Sequence, residues 1–363
     1  MAPYLEAAEA PVLVERHPGI WELVLNRARV LNTLNLSMIR GLQQALQAAE
    51  TDAGCRLVCL RGAGERGFCA GGDLKALVQL VREKSWDQAA RFFQEEYALD
   101  LHLHRFSKPV VALAAGITMG GGLGLAAGAD LVVATEDSRL AMPETGIGFF
   151  PDVGATGWLH AKCPPGYPEY LALTGQEMAG GEAVRVGLAT HLVRGAKAPE
   201  LLEALRAAAA NLPPAKEEGV RRLGEILASW GEQKIPARPE MDAWVARHFG
   251  GKAAVREIMD SLSRCPDHRR LDAEVRERLQ GRSPTALVLT LLLLRRHLGR
   301  PLEEVLAAEA GAAGFMIAHP DYLEGIRARL LDRDQRPRWQ PATLEEVRLP
   351  RDLWGPVPSG RTT

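Results

Sequence analysis

The sequence predicts a mixed α/β core over residues 1–200, an all-helical region over 201–340 and an extended tail over 341–363. Three observations carry that prediction. Apolar strand-like runs alternate with amphipathic helical stretches through the first two hundred residues, which demands crossover connections and a largely parallel sheet. Beyond that point apolar residues recur only at helical spacing. The chain has 363 residues, 47% hydrophobic and 25% charged, enough to bury a core without disulfides or metal. Disorder, collagen and coiled coil are excluded as whole-chain readings.

The elements follow in order. PVLVERH (11–17) and GIWELVLN (19–26) read as two strands parted by His17-Pro18-Gly19. Ser37 to Glu50 reads as an amphipathic helix with Ile39, Leu42, Leu46 and Ala49 on one side. CRLVCLRG (55–62) reads as a buried strand, and GAGERGFCAGG after it as a loop. Helices are expected from Asp73 to Leu80 and from about Trp86 to Phe106, and strands at PVVALAAG, ADLVVAT (129–135) and RLAMPE (139–144). Later helices are expected at 201–228, 240–263, 284–300, 302–309 and 321–331. Ser283-Pro284 signals a start, a serine cap with proline at the first helical position. The tail, with Pro341, Pro350, Pro356 and Pro358, reads as a loosely ordered strap.

Charge and cysteine narrow the function classes. Lys plus Arg is 44 and Asp plus Glu is 45, a net charge of −1, which gives no field for holding nucleic acid. Cys55, Cys59, Cys69, Cys163 and Cys265 show no C-x-x-C spacing, which argues against a disulfide framework and a zinc site. Glu6, Glu9 and Glu15 precede the first basic residue, Arg16, unlike a secretory or mitochondrial leader, so the expected location is cytoplasmic. Residues 109–129 carry no charge and are long enough to span a bilayer. Pro109 and the run Gly120-Gly121-Gly122 make them a poor helix, so they read as a buried strand, a glycine turn and a helix start.

Gly62-Ala63-Gly64-Glu65-Arg66-Gly67 matches G-x-G-x-x-G, but no helix opens within it, so a dinucleotide site is not expected. G-x-S-x-G, the phosphate-binding lysine loop and HExxH are absent, and neither a metal nor a separate cofactor is expected. Two glycine-rich turns remain, FCAGGD (68–73) and GITMGGGLG (116–124), each after a strand and before a helix. Glycine lets backbone N–H groups approach a ligand, and the first N–H groups of a helix lack partners. Two such donors aimed at one point make an oxyanion hole. A third run, MPETGIGFFPDVG (142–154), places Glu144 and Asp152 eight residues apart among Ile147, Phe149, Phe150 and Val153. Desolvation there raises a carboxyl's pKa toward values useful in acid–base work.

These elements in this order resemble the crotonase (enoyl-CoA hydratase/isomerase) superfamily. The likeness runs from about residue 12 to about 347 and rests on FCAGGDLK, EEY (95–97), GITMGGGLGL, AMPETGIGFFPDVG, LALTG (171–175), GLATHLV (187–193), SPTALVLT (283–290) and DYLEGIRARLLDRDQRPRW (321–339). The MPET…FPDVG run and the LLDRDQRPRW stretch resemble its thioester-hydrolase branch. The resemblance implies a β-β-α spiral core and an acyl-CoA substrate whose CoA lies in a groove. NRARVLNTLN would then lie near the adenine end, and Lys75 would reach a phosphate. It places oxyanion donors at Gly72 and Gly121, catalytic acids at Glu144 and Asp152, and a substrate-contacting carboxyl at Glu96. The family's first hydratase glutamate falls on Gly124, so the water-adding pair is missing. Ala28 stands where proline usually follows NR, and Ala155-Thr156-Gly157-Trp158 replaces a glycine-aromatic stretch beside Asp152. The expectation is acyl-CoA thioester hydrolysis. A lyase or isomerase of the same fold and a non-catalytic CoA-ester binder remain as alternatives. Self-association is implied by the family alone.

Overall fold

The computed structural model describes residues 10–231, 235–264, 269–350 and 353. Glu6, Glu9, Cys265, Pro356 and Pro358 lie outside the described residues. The chain forms two compact units. Among the described residues the first comprises 10–73, 98–140, 178–231 and 235–236, the second 74–97, 141–177, 237–264, 269–350 and 353. Residue 200 therefore separates the strand-bearing sequence from the all-helical sequence, but it is not where the compact units divide.

The first unit is built on a six-stranded sheet of β1 (Val12–His17), β2 (Gly19–Leu25), β3 (Cys55–Gly62), β5 (Val110–Ala114), β7 (Leu131–Ala134) and β10 (His191–Leu192), in that spatial order. β1 pairs antiparallel with β2, and the other pairings are parallel. All seven residues of β2 are buried, as expected of a strand covered on both faces. Ile20, Leu57, Val111 and Val133 of the sheet pack with Leu201, Leu205, Leu223 and Leu227. Each such fully buried side chain contributes about 1.5–3 kcal/mol. Those leucines come from two helices, Ala198–Ala209 and Lys216–Trp230. The single helix expected over 201–228 is thus broken where Pro213-Pro214 removes consecutive backbone donors.

A second sheet of the first unit orders β4 (Gly67–Cys69), β6 (Ile117–Met119), β8 (Arg139–Ala141) and β9 (Met178–Ala179). β4 lies inside the stretch expected to be loop. Its three residues are too few to show periodicity, and parallel pairing with β6 supplies its order.

The second unit is helical. Ser283 caps the helix Pro284–His297 by accepting from the Ala286 amide, as the Ser-Pro signal predicts. The helix expected over 240–263 is two helices, Pro239–Phe249 and Val255–Arg264, parted by Gly250-Gly251. The helix expected over 302–309 extends from Leu302 to Ala318. Among the described residues no helix is long and apolar enough to cross a membrane.

Candidate active site

The residues singled out in the sequence fall in both units. In the first unit the two glycine turns abut. A Cβ at Gly71, whose φ is +97°, would lie 3.1 Å from the Met119 carbonyl oxygen and 3.5 Å from the Gly121 nitrogen. Only glycine allows this backbone-to-backbone approach. The strand end is fixed by Leu34, whose amide donates to the Gly71 carbonyl while the Asp73 amide donates to the Leu34 carbonyl, both at 2.8 Å. Arg27 pairs with the Asp73 carboxylate at 2.8 Å. Gly121 opens the helix Gly121–Gly128, so its amide has no carbonyl one turn back. Among the described residues no acceptor takes the Gly72 or the Gly121 amide. These two neighbouring turns leave two donors available to an oxyanion. Gly124 is buried within the same helix, and no carboxyl stands there.

The acids gather in the second unit. Glu144 begins the 3-10 turn Glu144–Ile147 and is 7% exposed. Its Oε2 is buried without a hydrogen-bond partner among the described residues. Burial, then the charge of Asp152, push its carboxyl well above the usual carboxylate range, and Arg282 pulls only weakly the other way. Asp152, 6% exposed, accepts a hydrogen bond of 2.8 Å from the Tyr97 hydroxyl. Burial lifts it to about 7 against the pull of that hydrogen bond. A carboxyl near 7 exchanges protons readily at neutral pH.

The helix Trp86–His104 presents Phe93 and Tyr97 one turn apart, with Glu96 buried beside Tyr97 at 3% exposure. The charge of Glu96 contributes to raising the Tyr97 and Tyr322 hydroxyls. Phe149, between the two acids in sequence, stacks on Phe93 (centroids 5.5 Å) and Phe150 (4.7 Å) and lies 5.7 Å from Tyr322. This apolar wall is what desolvates the acids. Lys75 is exposed at the start of the helix Leu74–Arg82.

Glu144, Asp152 and Glu96 thus share one buried neighbourhood, and Gly72 and Gly121 share another. Sequence reasoning gave no role to Tyr97, Arg282 or Glu309. Tyr97 had a signal in its i, i+4 spacing from Phe93. Glu309 had one too, as the lone acid of an otherwise apolar stretch, AAEAGAAGFMIA. The described groups also bring Glu15, His17 and Glu22 within 4.8 Å of one another, but Arg61 and Arg206 hold the Glu22 carboxylate, which makes this an ion-pair cluster.

Comparison with known proteins agrees with the resemblance. The enoyl-CoA hydratase/isomerase family profile matches residues 20–351. The mitochondrial 3-hydroxyisobutyryl-CoA hydrolase of Gallus gallus is 38% identical over 344 residues, covering 93% of this chain and 86% of its own. That of Homo sapiens is 37% identical over 354 residues, covering 96% and 88%. A carnitinyl-CoA dehydratase from Mycobacterium thermoresistibile superposes with a TM-score of 0.82 at 35% identity, covering 93% of this chain and 94% of its own. An enoyl-CoA hydratase from Rhodobacter sphaeroides 2.4.1 gives 0.83 at 32% identity, covering 96% and 98%. The chain belongs to the enoyl-CoA hydratase/isomerase family, with a crotonase-type α/β core and a helical C-terminal region.

Proposed function

We propose that this protein hydrolyses an acyl-CoA thioester, with 3-hydroxyisobutyryl-CoA of valine breakdown as substrate. One observation carries the reading. Glu144 is a buried carboxyl with a free oxygen, set beside the Tyr97-bound Asp152, while the position of the first hydratase glutamate is Gly124. A single desolvated carboxyl suits attack on a carbonyl or activation of one water. Addition of water across a double bond uses the pair that is missing.

The thioester oxygen becomes an anion as its carbon turns tetrahedral, and the Gly72 and Gly121 amides are the donors suited to it. In the ionised fraction that its raised pKa leaves, Glu144 acts in one of two ways. As nucleophile, its carboxylate bonds to the thioester carbon and the C–S bond breaks. The thiolate takes a proton to leave as free CoA, and water opens the mixed anhydride. As base, it takes a proton from water, whose oxygen bonds to the thioester carbon; the C–S bond then breaks and the thiolate takes that proton to leave as free CoA. Both routes sum to thioester plus water giving 3-hydroxyisobutyrate and CoA. Asp152 receives the 3-hydroxyl or relays the proton, with Tyr97 fixing its orientation. Glu96 borders the acyl group, and Lys75 meets a CoA phosphate.

Appearance of free thiol from 3-hydroxyisobutyryl-CoA is the test, run beside loss of enoyl absorbance from crotonyl-CoA. Thiol release without enoyl loss supports the hydrolase. Enoyl loss alone makes it a hydratase, and neither makes it a binder. We further expect self-association, read by light scattering, and a cytoplasmic location, read by fractionation. The Gallus gallus and Homo sapiens hydrolases named above are mitochondrial.

A further inference from the structure

We propose that Glu309 is a positioning residue for this reaction, clamping the strained turn that carries Asp152. The proposal rests on the role given to Asp152 above. Val153, directly after Asp152, has φ +51°, and Gly154 has φ +80°. A β-branched residue in the left-handed region is strained and persists only where its surroundings over-determine it.

The surroundings are on hand. Glu309, fully buried on the helix Leu302–Ala318, accepts from the Gly154 amide at 2.7 Å through one oxygen and from the Thr156 amide at 3.3 Å through the other. The Thr156 hydroxyl donates to Glu309 and meets His297 Nδ1 at 2.8 Å. The Trp158 indole donates to the Val153 carbonyl at 3.1 Å, and the Ala155 amide to the Asp152 carbonyl at 2.8 Å. Thr156 and Trp158 belong to the Ala155–Trp158 stretch that departs from the family's glycine-aromatic pattern. In this chain Thr156 of that stretch supplies partners of the buried carboxyl, and Trp158 a partner of the Val153 carbonyl.

The groups facing Glu309 explain why a carboxyl is kept there. Asp152 and Tyr97 interact with it electrostatically, and His297, under the charges of Arg296, His160 and Arg300, reaches it through the Thr156 hydroxyl. Burial first, then the Asp152 charge, lift Glu309 to about 8. His297 is lowered to about 4 by burial and by those cations, so it stays neutral and supplies no countercharge. Even protonated, as a group near 8 mostly is at neutral pH, a carboxyl keeps lone pairs on both oxygens for the two amides while its O–H turns to the Thr156 hydroxyl. An amide side chain offers one acceptor and sets a donor against the second N–H.

The test compares Glu309→Gln, Thr156→Val and Thr156→Ser with the unaltered protein, on 3-hydroxyisobutyryl-CoA and its deoxy analogue isobutyryl-CoA. Expected for Glu309→Gln is a kcat lower by about ten- to a hundredfold on the 3-hydroxy substrate, the scale of a small misplacement. KM should hold, and the loss on the deoxy analogue should be smaller. Amide exchange should quicken at residues 153–157. Thr156→Val should show the same pattern more weakly, and Thr156→Ser should recover it. An equal loss on both substrates would make Glu309 merely structural, and unchanged exchange would remove the clamp. Should Glu309→Gln not fold, Thr156→Val decides. Asp152→Asn, run alongside, separates the premises. If it leaves discrimination intact, the role of Asp152 fails, and the clamp is judged on exchange and kcat alone.

Discussion

Two regions of this molecule bury carboxylates and treat them in opposite ways. In the first unit, fully buried Glu22 receives hydrogen bonds from Arg206 and Arg61. Burial would raise its pKa, but the two guanidiniums outweigh it and hold the group below its usual value. In the second unit, Glu144, Asp152 and Glu309 are also buried, have neutral hydrogen-bond partners or none, and are all raised. Burial alone therefore does not mark a functional acid. What sets these acids apart is burial without a hydrogen-bonded guanidinium, where the proton becomes the cheapest counterion near neutral pH.

Four variants would sharpen or break that contrast. The largest effect is expected from Glu144→Gln, which keeps size but removes charge. Turnover should fall by about 10² or more, the range of positioned general bases. Near-normal thiol release would move the chemistry to Asp152 or Glu96. Gly121→Pro removes one oxyanion donor at the first helical position, where proline is tolerated. In protein that remains folded below its melting temperature it should lose about 10²–10³ in kcat. Full turnover would show that the Gly121 amide holds no oxyanion. Arg206→Met should destabilise by about 3 kcal/mol, since it half-uncovers a buried charge, while kcat is kept. Because the Glu22 pKa is lowered, that stability is present above its usual value of 4.5 and is lost as pH falls, so the deficit should shrink in acid. Denaturant melts at two pH values read this, and a deficit that grows in acid contradicts the pairing. The smallest effect is a shift. Asp152→Asn removes the like charge that helps raise Glu144, so the acid limb of kcat/KM should move to lower pH. The limb belongs to the coupled pair. An unmoved limb would mean that the two acids do not interact.

Much of this was legible in the residues. The strands of the large sheet announce themselves as apolar runs, and Ser283-Pro284 marks its helix start. The short strands β4 and β6 were hidden, because three residues show no period and pairing alone orders them. The helix breaks at Pro213-Pro214 and Gly250-Gly251 were written in the sequence and passed over in favour of apolar periodicity. Glu144 and Asp152 were legible from their acid-in-apolar setting. Tyr97, Arg282 and Glu309 were not assigned, because their partners lie 55, 138 and 155 residues away, at Asp152, Glu144 and Gly154. No local pattern encodes such distances.

Gly148 has φ +70°, and a Cβ there would fall 2.1 Å from the Asp321 carbonyl oxygen, while one at Gly325 would fall 2.3 Å from the Ile147 carbonyl carbon. The turn between the two acids is thus pressed against the helix Pro320–Ile326 with no room for even a methyl group. Mutational drift cannot retune the spacing of Glu144 and Asp152 by lengthening or decorating that turn. A library aimed at new acyl groups should leave 144–150 and 321–325 untouched, together with the 153–158 turn whose amides and side chains hold Asp152 in place.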